Sequence, residues 1–464
     1  MNNYKQFFKD KKITIMGLGL LGRGVGDAVF LAECGAKLTI TDLKPSTALR
    51  PSLQKLRKFK NIKYVLGKHR LEDFRDKDMI IKNPAIPLDS IYIKEAKKNK
   101  IPVEMDVSLF VKLTKGVVVV GVTGTRGKSM TTMLVYEILK KNEKILKGAE
   151  VFLGGNIKGK ATLPLLKKTK PGDILICELD SWQLQGFDPI SLKLRETSEK
   201  GISPRISVFT SFMPDHMNYY GSTGLTTSGA MKKYFADKAN IFKYQNKGDV
   251  LIVRPHVKKL IPKTLKSRLI VADVKKIAGY KFIVPGEHQR ENLACAVEVA
   301  KLFKIPTAKI KKVIKNFKGL EGRLQYVRTI KGVKIYNDNN ATTPEATMAG
   351  IKALFQDGKE NKIILISGGA DKNLDTKIFE SVINTFCKAV IFIPGTGTDK
   401  LLKNHKLKIP NEKVKDLKTA VKKALKYAKA GDVILFSPAF SSFSQFANEY
   451  ERGDLFMKIM KKFK

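Results

Sequence analysis

The segment VTGTRGKSMTT, residues 122–132, has residue types and spacing suited to binding a nucleoside triphosphate. It follows the apolar run KGVVVVG, which predicts a buried strand, and it precedes a stretch with helical periodicity. At such a strand-to-helix turn, Gly124 and Gly127 would let backbone N–H groups approach phosphate oxygens. Lys128 would neutralise the β- and γ-phosphates, and the hydroxyl of Ser129 would face Mg²⁺. The segment therefore predicts a phosphate-binding loop.

This loop departs from the standard GxxxxGK pattern, which would place a glycine where the chain has Val122. A Gly-Lys-Ser triplet can also occur by chance in a loop. Its position directly after a valine-rich strand and directly before a helix favours nucleotide binding over that alternative.

A second glycine-rich turn lies near the start of the chain. The predicted strand KITIM runs into GLGLLGRG, where Gly17, Gly19 and Gly22 fit the pattern GxGxxG. Asp42 ends the next predicted strand, about 20 residues further on, where an acid commonly contacts a ribose hydroxyl. From these residues alone, the turn could bind NAD, bind another nucleotide diphosphate, or only pack a helix closely.

Parallel sheets would position both turns. Short runs rich in Val and Ile alternate with amphipathic, lysine-bearing stretches, which favours parallel strands joined by crossover helices. The alternation occurs three times, and 464 residues at about 150 per domain also indicate about three domains. We predict an α/β protein with domains at residues 1–114, 115–319 and 320–464. The first is expected to be Rossmann-like, the central one a P-loop ATPase-type parallel sheet, and the last a Rossmann-like α/β domain.

The net charge is the most unusual feature of the composition. The chain has 87 Lys plus Arg against 43 Asp plus Glu, which gives +44 at pH 7. A nucleic-acid surface concentrates its cations on one element, with aromatic side chains for stacking, whereas these lysines are spread along the whole chain. We interpret the charge as a solvated, lysine-rich surface that attracts anionic substrates, and nucleic-acid binding remains an alternative.

The N-terminal segment MNNYKQFFKDKK has no apolar h-region, and no apolar run approaches the roughly 18 residues of a membrane helix. We therefore expect a cytoplasmic protein that does not enter a membrane, and we expect it to act as a monomer. The four cysteines lie far apart without CxxC or Cys/His spacing, so neither a disulfide framework nor a zinc site is indicated.

The loop pattern TGTxGK[ST] resembles that of the Mur ligase superfamily, ATP-dependent enzymes that join an amino acid to a carboxylate. Further segments resemble motifs of this family and follow in the same order along nearly all of the chain past the first domain. They are GGNI, ELDSWQL, DHMNYYG, YFADKANIF, GEHQRENLACA, LEGRLQYV, IYNDNNATTPEAT, SGGADK and LFSPAFSSFSQFANEYERGDLF. Within the family, the resemblance is strongest to members that add D-glutamate to UDP-N-acetylmuramoyl-L-alanine in peptidoglycan precursor synthesis.

The resemblance implies that the first domain holds the UDP end of the substrate, so NAD is no longer expected there. The implied contacts with the UDP-substrate are Gly17, Leu18, Gly19, Asp42, Asn83 of the segment KNPAI, and Asn156. The implied contacts with ATP are Gly124, Thr125, Gly127, Lys128, Ser129, Asn292, Arg323 and Asp338.

The family chemistry activates a carboxylate as an acyl phosphate, which the incoming amine then displaces. The resemblance implies two Mg²⁺ ions, one held by Ser129 and Glu178, the other by His216 and a carbamylated Lys238. An ammonium cannot bind Mg²⁺, but a lysine carbamate offers anionic oxygens. Lys128, Glu178, His216 and Lys238 are thus the implied catalytic residues. Apart from the family pattern, His216 could be a buried structural histidine, and Lys238 could be an ordinary lysine of a lysine-rich chain.

Two departures from the family pattern concern the amino-acid site, whose implied contacts are Thr342, Lys372 and Ser442. Asn340 stands where the family usually has a lysine, and Glu449 stands in a position that is usually aromatic. Losing a cation and gaining an anion should weaken the binding of D-glutamate.

Three interpretations therefore remain open from the sequence. The favoured one is a D-glutamate-adding ligase. The second is a related Mur or folylpolyglutamate synthase-like ligase with another acceptor. The third is a nucleic-acid-binding protein without enzymatic activity, which the charge alone suggests.

Overall fold

The structure is a computed structural model that describes residues 4–20, 22–188, 201–220, 226–355, 362–372, 374–442, 445–446 and 448–463, without the side chains of Asn218 and Glu449. The chain forms two compact units, residues 1–279 with 291–313, and residues 280–290 with 314–464. No described helix has both the length and the apolar character that crossing a membrane requires.

The first unit contains two parallel sheets. The first sheet has the strand order β3-β2-β1-β4-β5, and the second has the order β11-β10-β9-β6-β8-β7. Most of these strands are buried along nearly their whole length, as parallel strands covered by helices on both faces must be. Their bounds are β1 Lys12–Met16, β2 Lys37–Asp42, β3 Ile62–Leu66, β4 Met79–Lys82, β5 Val103–Glu104, β6 Val118–Thr123, β7 Val151–Gly155, β8 Ile174–Glu178, β9 Ile206–Phe209, β10 Val250–Val253 and β11 Arg268–Val271.

The helices of this part of the chain connect the strands. They are α1 Tyr4–Phe8, α2 Arg23–Glu33, α3 Ser46–Gln54, α4 Ile91–Lys98, α5 Asp106–Leu113, α6 Lys128–Lys140, α7 Ser181–Leu184, α8 Met217–Tyr220, α9 Thr227–Ala239, α10 Pro255–Lys258, α11 Glu287–Leu302 and α12 Thr307–Lys315. One continuous apolar core extends from Phe8 of α1 to Val257 of α10 and packs both sheets. The last two helices contribute residues to both compact units.

The second unit contains one mixed sheet with the order β12-β13-β17-β14-β15-β16. Among the strands described in this sheet, only β12 runs antiparallel to its neighbour, and it forms the edge beside β13. Separate apolar clusters pack the two faces of this sheet. The elements are β12 Gln325–Ile330, β13 Val333–Asn337, α13 Pro344–Leu354, β14 Ile363–Ser367, α14 Lys377–Phe386, β15 Cys387–Phe392, α15 Thr396–Asn404, β16 Asn411–Lys413, α16 Leu417–Tyr427, β17 Val433–Phe436 and α17 Glu449–Lys461.

The predicted α/β class and its three sheets are confirmed, with the difference that the third sheet is mixed because of β12. The domain boundaries at residues 114 and 319 stay a prediction. All four cysteines are buried and free.

Candidate active site

The phosphate-binding loop lies between β6 and α6, as the sequence predicts. Gly124 and Gly127 have φ angles of 143° and 86°, in the region that favours glycine. A Cβ atom at Gly124 would overlap the hydroxyl of Thr210, and one at Gly127 would overlap the side-chain oxygen of Asn292. Both glycines are therefore required by conformation and by space.

Hydrogen bonds from the neighbouring strand end fix the loop. The amide of Thr125 donates to the carbonyl of Ser211 over 2.7 Å, and the amide of Arg126 donates to the hydroxyl of Ser211 over 2.8 Å. Lys128 Nζ donates to the carbonyls of Gly124 and Thr125, at 3.0 and 3.1 Å. The cation thus lies over its own loop, where a triphosphate would bind.

Asn292, a predicted ATP contact, lies directly behind Gly127. It is almost fully buried, and its Oδ1 accepts hydrogen bonds from the Thr131 hydroxyl at 3.3 Å and from Arg254 Nη2. Arg254 also pairs with Glu291 at 2.9 Å. Sequence reasoning missed Arg254, which no motif marks, although its side chain orders the back of the loop.

Glu178 and Ser129, the residues predicted to hold one Mg²⁺, flank the loop. Glu178 ends β8 in register with Val122 of β6, and Ser129 is the second residue of α6. The described chain contains no group of three or more His, Cys, Asp or Glu side chains that could hold a metal. A hydroxyl and one carboxylate nevertheless fit Mg²⁺ that is bound mainly by phosphate oxygens and water, as is usual in nucleotide sites.

Lys238 lies near the end of α9 and is 1 % exposed. Its Nζ donates to the carbonyl of Gly124 at 2.9 Å and lies 4.8 Å from the centre of the Tyr234 ring. The structure thereby brings Lys238 against the phosphate-binding loop. Burial first, and then the charge of Lys128, hold the pKa of Lys238 well below its ordinary value. The lowered pKa favours the neutral amine, which is the form that reacts with CO₂.

Asp237 precedes Lys238 and has a structural role that sequence reasoning missed. Its Oδ2 accepts hydrogen bonds from Gln185 Nε2 at 2.8 Å and from the Tyr220 hydroxyl at 2.9 Å. Burial raises the pKa of Asp237 to about 6. These contacts fix the part of α9 that carries Lys238.

His216 has a φ of 56°, uncommon for a residue other than glycine. Its ring lies 4.7 Å from that of Trp182, between centres, and its Nε2 lies 3.8 Å from Asp215 Oδ2. Burial lowers the pKa of His216, as do the charges of Lys128 and Lys238. A neutral imidazole on a constrained backbone fits the predicted role of a metal ligand.

Of the residues predicted to bind the UDP end, Gly17, Leu18, Gly19, Asp42 and Asn83 lie at the carboxyl edge of the first sheet. Gly17 and Gly19 have φ angles of 90° and 66°, and a Cβ at Gly17 would lie 2.9 Å from Asn83 Cβ. Asp42 accepts the amide of Gly19 at 2.9 Å and that of Lys44 at 2.9 Å. Asp42 therefore orders the glycine-rich turn itself, in addition to the ribose contact predicted for it.

Leu18 has a buried side chain, so it can offer a ligand only its backbone. Asn156 comes from the second sheet, where its amide donates to the carbonyl of Glu178 at 2.7 Å. Its Oδ1 accepts a hydrogen bond from Arg23 Nη2 at 2.7 Å, and Arg23 is the first residue of α2. Arg23, which the motifs do not mark, thus connects Asn156 to the glycine-rich turn.

The remaining predicted ATP contacts, Arg323 and Asp338, lie in the second unit. Asp338 is buried, and its oxygens accept the amide of Leu324 at 3.0 Å and the hydroxyl of Ser437 at 2.9 Å. Burial raises the pKa of Asp338 to about 7. The amide of Arg323 donates to the carbonyl of Leu320 at 3.1 Å.

The predicted amino-acid contacts also lie in the second unit. Lys372 Nζ donates to the hydroxyl of Thr342 at 3.1 Å, which brings those two residues together. Ser442 is 2 % exposed, and its hydroxyl has no hydrogen-bond partner among the described residues. A buried hydroxyl of this kind fits a carboxylate oxygen of a ligand.

Asn340 Nδ2 donates to the carbonyl of Glu321 at 3.3 Å, and the side chain of Glu449 lies outside the described residues. Arg452 of α17 is fully buried and donates to Asn339 Oδ1 at 2.8 Å and to the carbonyl of Phe440 at 3.2 Å. Arg452 thereby holds the two loops that carry Thr342 and Ser442. The segment YERGDLF contains it, but sequence reasoning gave it no role.

The phosphate-binding loop depends on Gly124 and Gly127, and the buried Lys238 lies against it. This arrangement on a parallel sheet is typical of nucleotide-dependent α/β enzymes. Family models match the Mur ligase MurD-like N-terminal domain at residues 11–104, the Mur ligase middle domain at residues 122–271 and the Mur ligase glutamate ligase domain at residues 322–440. The chain belongs to the Mur ligase family.

Curated relatives match along nearly the full chain. A UDP-N-acetylmuramoylalanine–D-glutamate ligase of Borreliella afzelii (strain PKo) is 36% identical over 475 residues, covering 97% of this chain and 98% of the relative. The enzyme of the same name from Roseiflexus sp. (strain RS-1) is 31% identical, covering 98% and 99%.

Solved structures share the fold. UDP-N-acetylmuramate-alanine ligase MurC of Thermotoga maritima has a TM-score of 0.58 at 17% identity, covering 98% of this chain and 100% of that one. MurF ligase of Thermotoga maritima in complex with ADP has a TM-score of 0.57 at 16% identity, covering 99% and 97%.

Proposed function

We propose that this protein uses ATP to join D-glutamate to UDP-N-acetylmuramoyl-L-alanine, the reaction named for its full-length relatives. The observation that carries the proposal is the buried amine of Lys238, 2.9 Å from the Gly124 carbonyl inside the phosphate-binding loop. The lysine-rich composition does not explain this amine, because Lys238 is buried and does not belong to the solvated surface. The proposal includes the three domains at residues 1–114, 115–319 and 320–464, action as a monomer, and a cytoplasmic location.

The reaction has two steps. A carboxylate oxygen of the UDP-substrate attacks the γ-phosphorus of ATP. The new O–P bond gives an acyl phosphate, and the bond from the γ-phosphorus to the bridging oxygen breaks as ADP leaves. The amine of D-glutamate then attacks the acyl carbon, phosphate leaves, and the amine loses a proton. Lys128 and the amides of the phosphate-binding loop hold the triphosphate during the first step, because the loop already directs that cation to the nucleotide site.

When bound, Mg²⁺ would neutralise the phosphate and carboxylate oxygens, with Ser129 and Glu178 at one ion and His216 and a carbamylated Lys238 at the other. Carbamylation requires the neutral amine, whose lone pair forms the N–C bond to CO₂ while a proton leaves the nitrogen. Burial favours the neutral form of Lys238, and this supports the modification. The carbamate is testable by ¹³C NMR of protein equilibrated with ¹³C-bicarbonate, in wild type and in Lys238→Met.

D-Glutamate is proposed to bind Thr342, Lys372 and Ser442. A cation with a hydroxyl 3.1 Å away, and a second hydroxyl that is buried and unpartnered among the described residues, suit carboxylate oxygens. Asn340 can donate a hydrogen bond but carries no charge, so the affinity for D-glutamate should be lower than with a lysine there.

The decisive experiment measures phosphate release with ATP, the UDP-substrate and a panel of amino acids. We expect release to require all three substrates and D-glutamate to give the highest rate. Lys128→Ala should abolish ATP turnover and leave UDP-substrate binding near normal, whereas Lys141→Ala, an exposed lysine that follows the same helix, should change neither. A neutral or basic amino acid preferred over D-glutamate would refute the acceptor but not ATP-driven ligation.

A further inference from the structure

Lys82 is a buried lysine that none of the predicted functions uses. It ends β4 and is 2 % exposed, although lysines are almost never fully buried unless they are paired. Among the described residues no carboxylate lies within 4 Å of its amine. Instead, Nζ donates to the carbonyl of Pro84 at 3.2 Å and to that of Ile86 at 2.9 Å.

Both carbonyls belong to the turn that follows the strand, residues 83–86. The turn is closed by the amide of Ile86, which donates to the carbonyl of Asn83 at 3.0 Å. The amide of Ala85 donates to Asn83 Oδ1 at 3.1 Å. The buried amine of Lys82 thus holds two carbonyls of this turn by hydrogen bonds from the interior of the protein.

The turn packs against the glycine-rich loop. The amide of Asn83 donates to the carbonyl of Met16 at 2.8 Å, directly before Gly17. A Cβ at Gly17 would lie 2.9 Å from Asn83 Cβ and 3.3 Å from Ile86 Cδ1. The two loops therefore fit with almost no free space, and a shift of the turn would displace the glycine-rich loop.

Lys82 can donate both hydrogen bonds to the turn whether its amine is protonated or neutral. Burial lowers the pKa of Lys82 to about 7, and the nearby charges of Asp180 and Asp237 act in the opposite direction. An amine and an ammonium both have at least two N–H groups, enough for the two carbonyls.

We propose that Lys82 is a positioning residue for the UDP-substrate: it holds the turn at residues 83–86 against Gly17, so that Asn83 is placed to contact the UDP end. The inference rests on the proposed function. Lys82 acts through Asn83 and does not touch the substrate, and its effect should therefore be specific to the UDP-substrate.

The test compares the steady-state kinetics of Lys82→Met with those of the wild type. Methionine keeps about the length of the side chain and removes both hydrogen bonds. Without these two bonds the turn is no longer held in place, so the KM for the UDP-substrate should rise about tenfold, while the KM for ATP stays within about twofold. The matched control is Lys112→Met, which breaks the buried 2.7 Å ion pair with Glu104 in the same unit. It should lower the melting temperature without raising the KM for the UDP-substrate.

A double-mutant cycle that combines Lys82→Met with Asn83→Ala tests whether Lys82 affects substrate binding through Asn83. If Lys82 acts through Asn83, the double variant should have nearly the same KM as Asn83→Ala alone. Should Lys82→Met fail to fold, Lys82→Arg decides: its planar guanidinium is larger than the buried amine, so it should displace the turn and raise only the KM for the UDP-substrate. An unchanged KM for the UDP-substrate, an equal rise for ATP, or fully multiplicative effects in the cycle would overturn the inference. Absence of ligation in the wild-type protein would instead refute the proposed function.

Discussion

Replacing Lys238 by methionine or by alanine separates its chemical role from its packing role. The side chain is 1 % exposed, and alanine removes three buried methylenes together with the amine. At about 0.8 kcal/mol per buried methylene, Lys238→Ala should destabilise the fold by about 2–3 kcal/mol. Methionine keeps most of this packing. In both variants the Gly124 carbonyl should keep the hydrogen bond that it accepts from Lys128 in the wild type, at 3.0 Å.

Because the buried amine has a lowered pKa, its burial costs free energy that methionine does not incur. Lys238→Met should therefore be at least as stable as the wild type, and Lys238→Ala clearly less stable. Both should lose activity by at least about 100-fold, the usual effect of removing one charge-stabilising group from an active site.

The assay is phosphate release in the presence of acetate or propionate, together with thermal melting. A short carboxylate can occupy the cavity in Lys238→Ala and supply the missing oxygens, so activity should partly return there. Lys238→Met fills the same space and should not respond. Full activity in Lys238→Met, or equal rescue of both variants, would refute the carbamate role.

Three further predictions concern other parts of the site. Gly127→Ala should weaken ATP binding at least tenfold, measured by calorimetry, and leave UDP-substrate binding unchanged. The reason is that Gly127 has a φ of 86° and a Cβ there would overlap Asn292. Equal loss of both binding activities would contradict this prediction. Burial raises the pKa of Asp338 from 3.8 to about 7, so the stability from this protonated carboxyl is complete below about pH 4 and is lost as the pH rises through 7. Asp338→Asn should thus be more stable than the wild type by up to about 4 kcal/mol at pH 8, and the difference should vanish near pH 4 in denaturant titrations. Asn340→Lys should lower the KM for D-glutamate about tenfold, and an unchanged KM would place the binding of the acceptor elsewhere.

The strands that carry the nucleotide sites could be predicted because each is a long apolar run before a glycine-rich turn. Other strands lack this signal. β7 has only three apolar residues before two glycines, β5 has two residues, and β16, Asn411–Lys413, is a polar edge. β12 has one buried residue, Ile330, and its antiparallel pairing with β13 makes the third sheet mixed.

The glycines and the lysine of the phosphate-binding loop were predictable because their chemistry follows from local sequence. Arg254 and Arg452 were not, because their roles depend on carbonyls and side chains distant in the chain. Lys82 was not either: its partner carbonyls, those of Pro84 and Ile86, are close in sequence, but no motif marks a lysine that points into the protein. In a chain with 87 Lys plus Arg, composition cannot distinguish a buried cation from a solvated one. Only the folded packing shows that these three are buried.

The most direct measurement incubates the protein with ATP, Mg²⁺, UDP-N-acetylmuramoyl-L-alanine and isotopically labelled D-glutamate. ADP, phosphate and the labelled UDP-linked product are then quantified together. ATP-driven ligation predicts equal amounts of the three products and none when any substrate is omitted. ATP hydrolysis that proceeds at the same rate without the amino acid and yields no labelled product would contradict it.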